Sequence, residues 1–451
     1  MNEVNKTFPD SVVSILGLGY VGLTLGVAMA DAGFKVHGVE VRDAILDSLQ
    51  KSKAHFWEQD LDETLKKVVK SENFSFSKSY DAMPPSDVYI ITVGTPLDDS
   101  GQVRLDMIQN ATHQIAENFK EGALVILRST VRIGTARKVV KPILDMKEIS
   151  YELAVCPERT LEGNAMNELR QLPQIIGAET ESTLFRASHL FSRLTPTTVR
   201  VDKWETAELI KLVDNTYRDV TFSFANEVAR ICDAIGVSSA QVIQAGKLGY
   251  PRTNVAWPGP VGGPCLEKDP HILSQSAEMY GVNLDVTVAS RRVNERQPIE
   301  TVESIVKFLL AKGINRNEVL KISILGLAFK GVPATNDLRG TVAKSIMTCL
   351  KQGFPHSRFF GFDPHVSDQD ILDFGLEPAK SIEEAFDSSN LVVIANNNEQ
   401  FKSLKIDSLS SSMRPMALVY DYWGLFVGKN LAMQNKVAYM ALGNQIYSSL
   451  G

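Results

Sequence analysis

Trp257-Pro258-Gly259-Pro260-Val261-Gly262-Gly263-Pro264-Cys265 is a proline- and glycine-rich loop that delivers a single thiol, and Glu267, Lys268 and Asp269 follow it directly. Gly262 and Gly263 let the backbone approach a ligand or take positive φ, and the Lys268 ammonium can favour a thiolate. A free cysteine is ordinarily a small buried hydrophobe; in this company Cys265 reads as a nucleophile. Lys211 and Asn215 share a helix face at i, i+4 spacing, with Glu208 and Arg218 joining them at helical spacing. Leu209, Ile210, Leu212 and Val213 surround that stripe and mark it as an inner surface. An ammonium there can favour an alkoxide and hold a tetrahedral oxyanion. Cys156-Pro157-Glu158-Arg159-Thr160-Leu161-Glu162-Gly163 adds two carboxylates, and Glu158 can relay a proton directly or through water.

A second chemistry lies near the start. Gly17-Leu18-Gly19-Tyr20-Val21-Gly22 fits GxGxxG, with an apolar strand pattern at 12–16 before it and a helix rich in Ala, Leu and Gly from Leu23 to Ala32 after it. The glycines permit a tight strand-to-helix turn and a close approach of pyrophosphate, and the helix N-terminus offers free N–H groups to the anion. The next strand pattern, 35–39, ends in Glu40, which can hold both ribose hydroxyls and so favours NAD over NADP.

The elements that must position these groups follow from periodicity. Strand patterns at 12–16, 35–39, 87–93, 123–128, 152–155 and 174–177 alternate with helical stretches, which predicts an α/β fold with a doubly wound parallel sheet. Val93-Gly94-Thr95-Pro96 and Ser129-Thr130 end two of these strands, where carboxyl ends line a cofactor crevice. Glu205 to Ala234 reads as one long helix, with helical pattern resuming over 280–312 after a loop, and such a connector often carries a dimer interface. From about residue 320 alternation returns, with strands expected at 321–326, 359–363, 390–395 and 417–421, a second Rossmann-like sheet without a full GxGxxG. The expected division is 1–203, 204–314 and 315–451.

The 451 residues exceed one core and imply two or three domains, and 44% hydrophobic with 22% charged residues is ordinary for a globular enzyme. A net charge of −6 argues against non-specific nucleic-acid binding. The four cysteines match no metal spacing and suit a reducing compartment. The apolar run from Val12 to Ala30 could pass for a signal peptide or anchor. Gly17, Gly19, Gly22 and Gly26, and the absence of a basic cluster before them, favour a strand and a glycine-opened helix, so a cytoplasmic chain without a membrane partner is expected.

These residues carry a resemblance. Gly17 to Gly22, Val93 to Pro96, Ser129-Thr130, Pro157-Glu158, the helix with Lys211 and Asn215, the Gly-Gly-Pro-Cys265 loop with Lys268-Asp269, and Phe329-Lys330 with Asp337-Leu338-Arg339 occur in the order found in the nucleotide-sugar 6-dehydrogenases. That is the family of UDP-glucose and GDP-mannose dehydrogenases, and the chain is similar to it over nearly its whole length. The resemblance implies a four-electron oxidation of a sugar C6 alcohol to a carboxylate, with hydrides passed to two NAD molecules in turn. It implies that Cys265 traps the aldehyde as a thiohemiacetal and then carries a thioester, that Lys211 and Asn215 stabilise oxyanions, and that Glu158 and Asp269 manage protons and water. It places Thr130 in catalysis and, with Tyr20, Val21, Thr95, Glu162 and Arg339, at NAD. It places Arg159, Arg218, Gly259, Gly262, Phe329 and Lys330 at the substrate, assigns Arg252 to the neighbouring subunit's substrate, and makes the carboxy-terminal domain the nucleotide holder in a homodimer or higher oligomer.

Cys156-Pro157-Glu158-Arg159 and Asn215-Thr216-Tyr217-Arg218-Asp219-Val220 are similar to the branch that oxidises UDP-N-acetylhexosamines, and the UDP-glucose branch usually shows Asn-Pro-Glu-Phe at the first site. UDP-N-acetylmannosamine or UDP-N-acetylglucosamine is therefore expected ahead of UDP-glucose, within surface-polysaccharide synthesis. Pro260 replaces a family glycine, and 330–337 is longer than usual. One rival is a two-electron alcohol dehydrogenase, which needs no nucleophilic cysteine. Another is a silent NAD-binding regulator, which expects Cys265 or Lys211 to be lost; both are present.

Overall fold

The computed structural model describes residues 10–444; the outermost residues of the first and last expected domains, 1–9 and 445–451, lie outside them. The chain divides into two compact units. The first runs to Asp214 and takes in His271–Asn283; the second holds Asn215–Pro270 and the residues from Leu284 onward. The division falls inside the long helix Trp204–Ile235.

The first unit is built on eight strands: β1 Val12–Leu16, β2 Lys35–Val39, β3 Phe74–Ser77, β4 Val88–Ile91, β5 Ala123–Leu127, β6 Tyr151–Val155, β7 Gln174–Gly177 and β8 Thr198–Val201. Their order is β3-β2-β1-β4-β5-β6-β7-β8. The expected parallel sheet is corrected at one place, since β6 and β7 pair antiparallel through Val155 and Gly177. Central strands such as Val-Tyr-Ile-Ile and Ala-Leu-Val-Ile-Leu are buried on both faces, the signature of parallel strands covered by helices. Alternate residues feed separate cores. Ile15, Ile90 and Ile126 enter one, while Leu16, Ile91 and Leu127 enter the other.

β1 and β4 are the neighbours at which the strand order reverses, so the crevice opens beside their carboxyl ends. There the chain turns into helix Tyr20–Asp31. Gly22 is fixed by close approach: a Cβ would run into the Gly17 carbonyl and stand 2.7 Å from Thr92 Oγ1.

The second unit holds β9 Lys321–Leu325, β10 Arg358–Phe362, β11 Glu377–Pro378, β12 Leu391–Ile394, β13 Leu418–Asp421 and β14 Ala438–Ala441, in the order β11-β10-β9-β12-β13-β14. Renumbered from its own first strand, this is the 3-2-1-4-5-6 order of a dinucleotide fold. The turn after its first strand repeats the amino-terminal one. Gly326 donates to Phe362 O at 2.8 Å, as Gly17 donates to Val39 O at 2.8 Å. Helices Ser239–Lys247 and Asp285–Ala311 belong to this unit, and helix Asp269–Glu278 begins in it. No helix among the described residues is long and apolar enough to cross a membrane.

Ile126 has no exposed surface, whereas Val41 is 58% exposed. Ile126→Ala is expected to lower unfolding free energy by about 2–5 kcal/mol through lost burial and an unfilled cavity. Val41→Ala should stay within about 0.5 kcal/mol. Urea midpoints of the two variants check this, and equal shifts would contradict the assigned core.

Candidate active site

The GxGxxG turn presents an anion cradle. No side chain caps helix Tyr20–Asp31 and its first turn holds no acid, so its leading N–H groups stay available to pyrophosphate. Gly19 is open, with only Arg42 Nη2 at 3.7 Å from a notional Cβ. The cradle therefore fits a dinucleotide. Glu40 is buried at the end of β2. Its carboxylate accepts from Leu18 N at 3.1 Å, Arg42 N at 3.1 Å, and Arg42 Nε and Nη2 at 2.9 Å each. Burial pushes its pKa up, but the Arg42 bonds and charge outweigh it and the net shift is downward. A ribose at Glu40 must share the carboxylate with Arg42.

The strand ends come together as expected. Thr95 Oγ1 donates to Thr130 O at 2.5 Å, and Ser129 Oγ donates to Val93 O at 2.6 Å. Tyr20 packs on Phe56 with ring centroids 4.8 Å apart, and its hydroxyl donates to Glu58. Glu58 also accepts Gly163 N at 2.8 Å, so the start of the helix is tied to the loop carrying Glu162. Burial, then the Glu58 charge, raises the Tyr20 phenol pKa. Glu58 was not among the expected residues; its signal was an acid just after the aromatic pair Phe56-Trp57.

Glu158 is buried and fully engaged. Arg128 donates to Oε2 through Nε at 3.1 Å and through Nη2, while Oε1 accepts Arg159 N at 2.7 Å and Thr160 N at 2.8 Å. Burial raises its pKa, but the Arg128 charge, the Thr160 N–H and the Lys211 charge win, so the net shift is downward. Arg159 turns to Pro173 O at 2.7 Å and to Asp214 at 3.4 Å. On the long helix Glu208 and Lys211 are buried, and so are Asn215 and Asp219 beyond them. Arg218, at i+3 from Asn215 and i+7 from Lys211, keeps the expected helical spacing but is exposed, whereas Asp219 is buried.

In the second unit, Cys265 is exposed, whereas Cys156 and Cys232 are buried and Cys349 is intermediate. Burial pushes the Cys156 thiol up to about 12, which removes it as a nucleophile at neutral pH. Asp269 has no exposed surface. Its Oδ2 accepts Asn215 Nδ2 at 2.6 Å, its Oδ1 accepts Lys268 Nζ at 2.7 Å, and its N–H donates to Cys265 O at 2.9 Å. Lys268 therefore neutralises Asp269 directly. The glycines of the loop are held tightly. Gly259 exchanges both backbone bonds with Asn226, at 3.0 and 3.1 Å, and lies under Trp423. Gly262 abuts the Gly340 carbonyl, with Val342 Cγ2 3.0 Å from a notional Cβ. Gly263 takes φ +95° against the Phe329 ring, where a Cβ would clash. Lys330 Nζ lies 5.3 Å from the centroid of that ring. Arg339 pairs with Asp337, Nε to Oδ1 at 3.0 Å, and Arg252 is exposed over Tyr250 at 4.6 Å.

Comparison with known proteins places these features in one lineage. Three models of the UDP-glucose/GDP-mannose dehydrogenase family match along the chain: the NAD binding domain over residues 11–195, the central domain over 205–296 and the UDP binding domain over 323–427. UDP-N-acetyl-D-mannosamine dehydrogenase of Pyrococcus horikoshii is 30% identical over 437 residues, 96% of this chain and 98% of that protein. The solved UDP-D-ManNAc dehydrogenase of the same organism superposes with a TM-score of 0.86 at 28% identity, covering 96% of this chain and all of that one (100%). A UDP-glucose dehydrogenase from Pyrobaculum islandicum superposes with a TM-score of 0.83 at 25% identity, covering 98% and 99%.

Glu208 supplies a pH test of the first unit. Its oxygens accept Gly134 N at 2.5 Å and Ala136 N at 2.8 Å, and burial nevertheless holds its pKa up at about 7. A folded-state pKa above the ordinary 4.5 means the folded protein binds this proton more tightly than the unfolded chain. The stabilisation is full at low pH and is lost as pH rises through about 7. Across that range the denaturation midpoint of the wild type should fall relative to Glu208→Gln. Parallel curves would contradict it.

Proposed function

This chain belongs to the UDP-glucose/GDP-mannose dehydrogenase family of NAD-dependent nucleotide-sugar oxidoreductases, and within it we propose a four-electron oxidation of the C6 hydroxyl of a UDP-N-acetylhexosamine to the uronic acid. UDP-N-acetylmannosamine is the first expectation and UDP-N-acetylglucosamine the second. The observation that carries the reading is the exposed Cys265 thiol, anchored through its own carbonyl to the fully buried Asp269, itself bonded to Asn215.

Gly17, Gly19, Tyr20, Val21, Gly22, Glu40, Thr95, Thr130, Glu162 and Arg339 would hold NAD, which when bound accepts a hydride at each oxidation. The chain's own groups do the rest. Lys211 and Asn215 stabilise the C6 alkoxide in the first oxidation and the tetrahedral oxyanions later. The Cys265 thiolate adds to the C6 aldehyde, and the resulting oxyanion takes a proton to give a thiohemiacetal. That hydroxyl then gives up its proton as the carbon loses its hydride, which leaves a thioester on Cys265. Water then attacks the thioester carbonyl, the C–S bond breaks, and the thiolate leaves with the carboxylic acid formed. Asp269 shares this water's protons, the Glu158 anion orients it through charge, and Thr130 helps place it.

For the substrate, Arg159, Arg218, Gly259, Gly262, Phe329 and Lys330 would line the UDP-sugar site, and Arg252 would reach the substrate of a second copy. The part from 204 to 314 would carry the dimer contact, between an NAD part at 1–203 and a UDP part at 315–451. Support for the N-acetylhexosamine comes from Arg159 after Pro157-Glu158 and from the names of the relatives. We place the enzyme in the cytoplasm, in the supply of sugars for surface polysaccharide.

NADH formation across UDP-glucose, UDP-N-acetylglucosamine, UDP-N-acetylmannosamine and GDP-mannose tests the substrate. The highest kcat/KM is expected with UDP-N-acetylmannosamine, at two NADH per sugar. A preference for UDP-glucose would transfer the assignment to that branch, and one NADH per sugar would indicate a two-electron alcohol dehydrogenase. Tight NAD binding without turnover on any of them would indicate a silent regulator. Cys265→Ser should lower uronic acid formation by at least about a thousandfold, either stalling after the first oxidation or leaving a slowly hydrolysed ester. Normal acid production by this variant would refute the nucleophile.

A further inference from the structure

Arg128 follows the apolar run of β5 and is 1% exposed. It is buried with four side-chain hydrogen bonds, yet the proposed oxidation gives it no part. Nε donates to Glu158 Oε2 at 3.1 Å and Nη2 donates to the same oxygen. Nη1 donates to Cys156 O at 3.1 Å and to Gln174 Oε1 at 2.9 Å. The guanidinium lies 5.5 Å from the Phe191 ring centroid. Gln174 is fixed in turn, its Nε2 donating to Ile175 O at 2.8 Å and Pro157 O at 3.2 Å.

A carboxylate offers about four lone-pair sites. In Glu158, Arg128 takes the two on Oε2, and the Arg159 and Thr160 N–H groups take those on Oε1. A buried anion so saturated neither rotates nor takes up a proton without losing a charged bond, and removing the guanidinium would leave it uncompensated. The other charged groups around Glu158 do not replace the guanidinium. Lys211 on the long helix acts on it through charge, Arg159 points to Pro173 and Asp214, and Glu168 accepts Leu161 N at 2.6 Å.

We infer that Arg128 is a positioning residue for the oxidation: by occupying Oε2 it holds Glu158 as an anion in a single orientation, so that Glu158 acts on the reacting centre through charge and alignment. This rests on the proposed nucleotide-sugar oxidation. The effect of Arg128 must then pass through Glu158, and it must be largest at acid pH.

The test compares wild type, Arg128→Met, Arg128→Lys, Glu158→Gln and the double variant Arg128→Met/Glu158→Gln with the best UDP-sugar. Arg128→Met should lower kcat at least about tenfold, keep the KM for NAD within about twofold, and move the acid limb of the kcat profile up by about one pH unit or more. Arg128→Lys, which keeps the charge but not the fork, should recover part of both. In the Glu158→Gln background, Arg128→Met should cost less than about threefold. An equal loss in both backgrounds, or an unmoved acid limb, would overturn the inference. If Arg128→Met does not fold by circular dichroism, Arg128→Lys is read in its place, alone and with Glu158→Gln, against the same criteria. A wild type that reduces no NAD with any UDP-sugar would refute the oxidation itself, a result seen before any variant is made.

Discussion

An aspartate with no surface of its own fixes the chemistry of the second unit. Asp269 opens helix Asp269–Glu278, where a negative charge is favoured by the helix dipole, but its complete burial must be offset by bonds. Asn215 and Lys268 provide them, and the Asp269 N–H reaches back to the Cys265 carbonyl. Asn215, Lys268, Asp269 and Cys265 are thus one hydrogen-bonded piece. Its outer end is an accessible thiol and its inner end an anion that cannot be left bare. The loop leading to it is held at Gly259 by Asn226, and Asn226 is bonded to Asn294 of helix Asp285–Ala311. Asn294 and Arg291 both bond Asp219, again on the long helix. A polar core of this kind gains rigidity from each member that is satisfied.

The two sheets use one device twice. In each, the strand that opens the dinucleotide-type turn ends in a glycine bonded to the next strand, and an acid at the end of that strand accepts the following N–H. Glu40 does this for Leu18 and Asp363 for Leu327 and Ala328. The acids differ in what else they can do. Glu40 shares its oxygens with the exposed Arg42 side chain, which a ligand can displace, whereas Asp363 is spent on backbone, with His365 N as a further donor. The acid at this turn thus holds a side-chain partner in one unit and backbone donors in the other.

Much of this is legible in the sequence. Central strands such as β4 and β5 are unbroken apolar runs because helices cover both faces, and the long helix has neither proline nor internal glycine to stop it. β3, β8, β11 and β14 escaped notice because they are short and lie at sheet edges or beyond the periodic core, with half-exposed residues that blur alternation. Among chemical residues, Cys265, Asp269, Lys211, Asn215 and Glu158 stood out by type and spacing. Arg128, Glu58, Gln174 and Asn226 did not, since their roles depend on partners distant in sequence. Arg128 looks like the end of a strand until Glu158, thirty residues on, folds against it.

In the proposed oxidation the Cys265 sulfur bonds the sugar's terminal carbon. Rapid acid quenching during turnover with the preferred UDP-sugar, followed by peptide mass spectrometry, reads that bond directly. A sugar-derived acyl adduct is expected on the peptide containing Cys265, appearing and decaying within the turnover time. Complete oxidation to the acid with no adduct on that peptide at any time, or with an adduct on another residue, would contradict it.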